Sequence, residues 1–267
     1  MTNGYDVLGC KGPMEFTADP ADGVVNFTFV SDAHGKYLCE HTMREYERFA
    51  RRFSPQIVIS GGDVFDFNPL SKRCYGSPTD HGLEQDLAMG LQFIRDVNPN
   101  FMVWGNHDHY VMECLSGVNE VYKSLALRYL IEIKDVSRGA IHLEHCKSRG
   151  LLKINGLSII HGFGSGDQSI KATGTYYGDS LIGHHHSGQM VSVSRDGRDA
   201  RVWVAPCMRV PEAEYNRKHM NTMRHSNGWV YGQFFPDGTF KCHIETVKRP
   251  TLVSPKPSVL TIAKGGR

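Results

Sequence analysis

Five short clusters of aspartate, asparagine and histidine lie between residues 32 and 186, each close behind an apolar run. They read Asp32-Ala33-His34, Asp63-Val64-Phe65-Asp66, Asn106-His107-Asp108, His161, and His184-His185-His186. Carboxylate, carboxamide and imidazole donors without thiolate suit Mn²⁺, Fe, Zn²⁺ or Ni²⁺ in a working site rather than a structural zinc. Residues two apart on an extended segment face the same way, so Asp32 and His34 are expected to reach one ion. Gly61 and Gly62 let the backbone turn and leave Asp63 at a strand exit. The clusters hold more ligands than one ion can use, whereas two ions sharing a carboxylate, roughly 3.5–4 Å apart, can use them. Each piece alone is ordinary. Asp-x-His is common, GGD and GNHD segments are often turns, a lone histidine is often a satisfied buried one, and a histidine run is often merely solvated. Five of them in order, each at a predicted strand end, are unlike chance.

The elements that must position these clusters follow from hydrophobic period. Val25 to Ser31, Ile57 to Ser60 and Phe101 to Trp104 are short apolar runs expected as buried strands. Between them, Cys39–Phe53 places Met43, Tyr46, Phe49, Ala50 and Phe53 at helical spacing, and Leu83–Val97 does so with Leu83, Leu87, Leu91 and Ile94. Val118–Ile131 is helical in pattern too. This β-α alternation favours a parallel sheet with crossover helices, whose ligands gather beyond the carboxyl ends of the strands. From about residue 141 short strands dominate: Ile141–His145, Leu151–Ile154, Leu157–Ile160, Val191–Ser194, Arg201–Val204, Trp229–Phe235 and Thr239–Glu245. Asn155-Gly156 and Asp237-Gly238 mark turns between them. The expected fold is α/β: two sheets, one mainly parallel and one mixed, packed face to face with helices outside. One domain is expected over residues 1–248, with 249–267, which carries three prolines, as a loosely held tail. Residues 206–228 are expected as a long surface loop holding Arg209, Arg217, Lys218, His219, Arg224 and His225.

Composition narrows the partners. With 40% hydrophobic and 22% charged residues the 267-residue chain is an ordinary globular protein. A formal charge of +2 is far from the basicity of a protein that coats DNA. The seven cysteines form no C-x-x-C pair, which suits free thiols in a reducing compartment, and the expected location is cytoplasmic. No signal-peptide core and no membrane-length apolar run is visible, so no membrane partner is expected.

The motifs DAH, GDVFD, GNHD, H and GHHH together resemble those of the calcineurin-like metallophosphoesterase superfamily, whose fold is a β-sandwich of two mixed sheets flanked by helices. The resemblance implies that Asp32, His34, Asp63 and His186 hold one divalent ion, and that Asp63, as a bridge, with Asn106, His161 and His184 holds a second. Mn²⁺ is the expected metal, ahead of Fe, Zn²⁺ or Ni²⁺. It further implies that His107 faces the substrate as a catalytic residue, that Asp108 holds or polarises His107, and that Asp66 supports ligands rather than being one. His185 should point away from the ions, since its neighbours on both sides point inward. Two divalent ions against Asp32 and Asp63 leave positive charge for a phosphate ester, and coordination brings the pKa of water from 15.7 to roughly 7, so a bridging hydroxide becomes the nucleophile.

Protein phosphatases of this superfamily follow the second motif with arginine, GDxxDRG, whereas Phe67-Asn68 stands here. A monoester dianion would lose a bidentate partner. GNHD with GDVFD and GHHH is closer to the phosphodiesterases and repair nucleases, and the stretch after His186 is short for a nuclease's extra DNA-binding domain. The expected substrate is a nucleotide or nucleic-acid diester. A broad-specificity phosphomonoesterase is the runner-up. A non-catalytic scaffold on the same fold, like the superfamily's retromer subunit, should show eroded ligands, and none is eroded.

Overall fold

The computed structural model describes residues 4–18, 23–71, 82–148, 150–195, 197–210 and 224–248. The first half runs α1 (Gly4–Leu8), β1 (Met14–Phe16), β2 (Val25–Val30), α2 (Glu40–Phe53), β3 (Ile57–Ser60), α3 (Leu83–Val97), β4 (Phe101–Val103), α4 (His109–Leu115) and α5 (Glu120–Val136). There follow β5 (Ile141–Leu143), β6 (Leu152–Ile154), β7 (Leu157–Ile160), α6 (Gly166–Tyr177), β8 (Ser180–Ile182), β9 (Gln189–Arg195), β10 (Arg198–Val204), β11 (Gly228–Phe234) and β12 (Phe240–Thr246).

Alternation along the strands decides the layering. In β2, Phe27 and Phe29 enter one core while Val30 enters another, the period of two that a strand imposes. The strands form two six-stranded sheets, ordered β12-β11-β2-β3-β4-β5 and β1-β6-β7-β8-β10-β9. In the first, β2 to β5 are parallel and the β11–β12 hairpin joins antiparallel at one edge. The second mixes both senses. Phe27, Phe29, Ile59 and Phe234 of one sheet meet Leu152, Leu157, Ile159 and Leu181 of the other in the inter-sheet core. Full burial of each such side chain contributes about 1.5–3 kcal/mol. Helices α1 to α5 cover the outer face of the first sheet. Ile170 of α6 packs with Ile160, Ile182, Val202 and Val204 on the outer face of the second.

Helix ends follow local chemistry. Asn119 caps α5, its side chain accepting from the Val121 and Tyr122 amides. α2 and α3 end at Ser54 and Asn98, both left-handed. Between β6 and β7, Asn155 (φ 47°) and Gly156 (φ 81°) make the tight hairpin turn their sequence demands.

The structure extends the sequence reading at four places. α1, β1, α4 and α6 carry no clear period and were not expected. α6 has weak intrinsic propensity; a Cβ at Gly174 would run into Val193 and Val202, so packing against the sheet selects this helix. α5 runs to Val136, beyond the expected end at Ile131, because Ile133 continues the buried face of Tyr129 and Leu130. Arg209, expected on a solvated loop, is 1% exposed and stacks over Tyr37, 5.2 Å from the ring centroid. Arg224 is exposed and pairs with Asp167 at 3.2 Å. Arg217, Lys218, His219 and the tail from residue 249 lie outside the described residues. Among the described residues the cysteines are free thiols, and no helix is long and apolar enough to cross a membrane.

Candidate metal centre

Asp32, Asp63 and Asn106 follow the carboxyl ends of β2, β3 and β4, adjacent parallel strands of one sheet. His161 and His184 follow β7 and β8, adjacent parallel strands of the other. The facing of the two sheets brings these ends together. Asp32–His34–His186 makes a first triad and Asp63–His161–His184 a second, each with possible ligating atoms within 4.8 Å of one another, and a further group, His34–Asp66–His107, shares His34. The side chains of Asp32, His34, Asp63 and His161 are almost wholly buried.

Asp63 lies between the triads. Its Oδ2 is 3.3 Å from His161 Nε2 and 3.8 Å from His34 Nε2, while its Oδ1 accepts the His107 amide at 2.8 Å. The Asn106 side-chain oxygen is 3.2 Å from His161 Nε2.

The rings are oriented from outside. His34 Nδ1 donates to Asp66 Oδ1 at 3.0 Å, His161 Nδ1 to the Gly61 carbonyl at 2.8 Å, and His184 Nε2 to the Gly164 carbonyl at 2.7 Å. In the neutral rings this leaves the opposite nitrogens as lone pairs turned inward. In the first triad His34 Nε2 is 3.4 Å from His186 Nε2, and His186 Nε2 is 3.2 Å from Asp32 Oδ1. Carboxylate and imidazole groups gathered this closely in a buried site fit a cation.

The family model for calcineurin-like phosphoesterases matches residues 25–188, which span all five clusters. The chain belongs to the calcineurin-like phosphoesterase family. Its two six-stranded mixed sheets with flanking helices are that family's fold. Solved structures similar to this calcineurin-like phosphoesterase include a metallophosphoesterase from Sphaerobacter thermophilus (13% identity, 84% of this chain and 89% of that one, TM-score 0.41). The phosphoesterase Yfce from E. coli is 16% identical over 82% of this chain and 98% of its own, with TM-score 0.41. Vacuolar Protein Sorting 29 from Cryptosporidium parvum is 11% identical over 85% and 100%, with TM-score 0.39. Comparison with curated protein sequences finds no match. Family and clusters together indicate a divalent metal centre.

The loops of this calcineurin-like phosphoesterase depart from the extended geometry expected for Asp-x-His. Asp32 (φ 59°), His34 (φ 51°), His184 (φ 65°) and His186 (φ 57°) are all left-handed. Alternate residues still converge, through a curled backbone in place of a pleated one. Gly183 must be glycine for space: a Cβ there would strike Ser31 Oγ and the Asp32 carboxylate. That carboxylate accepts the His184 amide at 3.0 and 3.1 Å, so it anchors the loop of the other triad. His185 stands outside both triads.

His107 is held by Asp66, not by Asp108 as expected. Its Nδ1 donates to the Asp66 carbonyl at 2.9 Å and lies 3.2 Å from Asp66 Oδ1. Asp108 is turned to the backbone, accepting from the Phe65 amide and the Gly105 amide, both at 2.9 Å. It binds the GNHD and GDVFD loops together, and the His107 ring is beyond that reach. Phe67, at the position of a phosphatase arginine, is buried between Phe65 and Tyr129, 4.8 and 5.7 Å from their ring centroids.

Burial and neighbouring charge set the ionisation. Burial would raise the Asp63 carboxyl, but His161, His107 and His34 hold it well below the usual range. Asp32 is likewise lowered against burial by His186 and His161, and Asp66 by His107 and His34. Burial lowers His34 to about 3, helped by the Arg209 charge, and lowers His184 to about 4. Burial opposes charge on His161, yet Asp63 and Asp32 raise it to about 9.

Asp86 was missed by the sequence reading, although an acid among the apolar positions of α3 is the available signal. It accepts from the Phe67 amide at 2.9 Å, the Asp66 amide at 3.1 Å and the Lys36 amide at 3.3 Å. It therefore sets the loop that carries Asp66. Asp86→Ala is expected to cost about 3 kcal/mol, since buried donors lose their acceptor, and to loosen His34 and His107 through Asp66. Urea denaturation beside its Asn variant, which keeps an acceptor, measures this; equal stability of Ala and wild type would refute it.

Proposed function

We propose that this protein is a phosphodiesterase acting on nucleotide or nucleic-acid diesters with two divalent ions, Mn²⁺ by preference. Asp32, His34, Asp63 and His186 would hold one ion, and Asp63, Asn106, His161 and His184 the other. The observation that carries the reading is the Asp63 carboxylate, which belongs to the triad with His161 and His184 and lies 3.8 Å from His34 of the other. Ions bound there would neutralise phosphate oxygens and acidify a water for attack on phosphorus.

The chain's own groups do the rest. The Asp66 carbonyl accepts a hydrogen bond from His107 Nδ1, so Nε2–H of the protonated ring is the edge left to pass a proton to the departing oxygen. Asp108 keeps Gly105 and Phe65 in register, so Asn106 and His107 stay on adjoining sides of the site. The buried Phe67 supports diesters over monoesters, because no cation stands there to pair with a second phosphate charge. With Mn²⁺ at one pH, bis-p-nitrophenyl phosphate should show a higher kcat/KM than p-nitrophenyl phosphate. The reverse order would move the protein to the phosphomonoesterases.

A further inference from the structure

A cleft of about 600 Å³ opens beside the second triad, with Asn106 and His184 among its lining residues. A group esterified to a phosphorus held at that triad therefore has this cleft to enter. The volume falls within the 300–1,000 Å³ typical of small-molecule sites.

The remaining lining is mixed in character. Tyr110 and Phe163 offer aromatic faces of the kind on which bases stack. Lys147 is matched by Glu113, so the described lining lacks the surplus lysine and arginine that track a run of phosphates. His145 lines the cleft although it is 2% exposed, and its Nδ1 has no hydrogen-bond partner among the described residues. Cys146 Sγ donates to the Gly162 carbonyl at 3.3 Å, so its 3.6 Å contact with His145 Nε2 takes the ring hydrogen there and leaves Nδ1 an acceptor. A sugar hydroxyl or base amine is a matching donor. His109 stacks on His145, with ring centroids 5.8 Å apart. The Tyr5 hydroxyl bonds His109 Nδ1 at 2.8 Å and accepts the His145 amide at 3.2 Å, so α1 fixes both residues.

We propose that this cleft is a nucleoside subsite, which rests on the diesterase reading and narrows it to diesters presenting one nucleoside. His109 and His145 hydrogen-bond the sugar or base, and Tyr110 and Phe163 flank the ring. The reaction is unchanged: a water oxygen bonds to phosphorus, the P–O bond to the leaving alcohol breaks, and that alcohol departs with a proton.

The test compares thymidine 5′-(p-nitrophenyl phosphate) with bis-p-nitrophenyl phosphate on the Mn²⁺-loaded wild type, Phe163→Ala and His145→Ala. Saturation-transfer NMR of thymidine on metal-free protein runs beside it. The thymidine ester should be preferred about ten-fold, and Phe163→Ala should lower its kcat/KM about ten-fold more than that of the plain diester, the worth of one stacked base. Thymidine should give saturable transfer to the wild type and none to Phe163→Ala, a half-buried position that keeps the test open if His145→Ala does not fold. Hydrolysis of both diesters with no thymidine preference and no transfer overturns the subsite and leaves the diesterase standing. Transfer lost in Phe163→Ala without hydrolysis of either ester supports the subsite and overturns the diesterase.

Discussion

An Asp63→Ala protein is expected to retain neither ion after reconstitution with Mn²⁺ and to lose turnover on the order of 10⁴-fold, the several kcal/mol of charge stabilisation that metals supply. The expectation follows from one oxygen. Asp63 Oδ2 lies 3.3 Å from His161 and 3.8 Å from His34, so the carboxylate reaches an imidazole of each triad. Removing His184 should by contrast spare the ion at Asp32, His34 and His186. Asp63→Asn separates charge from shape, since it keeps an oxygen for the His107 amide but sets a donor among acceptors. Elemental analysis with circular dichroism as a folding control decides the matter. Two equivalents bound to a folded Asp63→Ala protein would remove the shared bridge.

His107→Gln should keep both ions and lower kcat by about 10²–10⁴, the usual contribution of a general acid. Burial disfavours charge on this ring, but Asp63 and Asp66 raise it to about 9, so the protonated form is present at neutral pH. An acid is lost as pH rises through its pKa. The wild-type rate should therefore fall on the alkaline side, and the variant should lack that limb. The loss should be larger for a poor leaving alcohol than for p-nitrophenolate, which departs with little help from a proton. Loss of a metal equivalent would make His107 a ligand, and an unchanged rate on a nucleotide diester would remove its chemical role.

Much of the frame was legible because β2, β3, β4 and β7 are short, mostly apolar runs followed within two residues by Gly, Asp or His, and α2 and α3 repeat at three and four. The residues at the strand ends could be picked out for the same reason: polar side chains do not follow buried strands without cause. What stayed hidden depends on tertiary packing. α4 and α6 have little helical period, and each is selected by the surface it lies on. Asp66 and Asp108 have the same side chain within neighbouring motifs, and only the curl of each loop decides which carboxylate meets His107 and which meets amides. Arg209 reads as a surface cation until Tyr37 and the strand ends close over it. Spacing suggested that Asp32 and His34 would converge, but through a pleated segment; the left-handed backbone that achieves it is one aspartate and histidine tolerate better than most side chains, yet type alone does not fix it.

That backbone bears on mutational drift. Asp32, His34, Asp63, His184 and His186 all have φ between 49° and 65°, where a side chain costs roughly 1–2 kcal/mol relative to glycine. Glycine at any of them would relax the chain, although at Asp32 or Asp63 it would also take the acceptor from the His184 or His107 amide. A lineage released from phosphoester chemistry could recover that backbone cost at His34, His184 or His186, each within a nucleotide change or two of glycine. Most substitutions elsewhere cost stability, so these positions are unusual in offering a downhill route away from function. The chain has taken none of these steps at any of the five positions. Aspartate and histidine enter this region more readily than most side chains, though less readily than glycine.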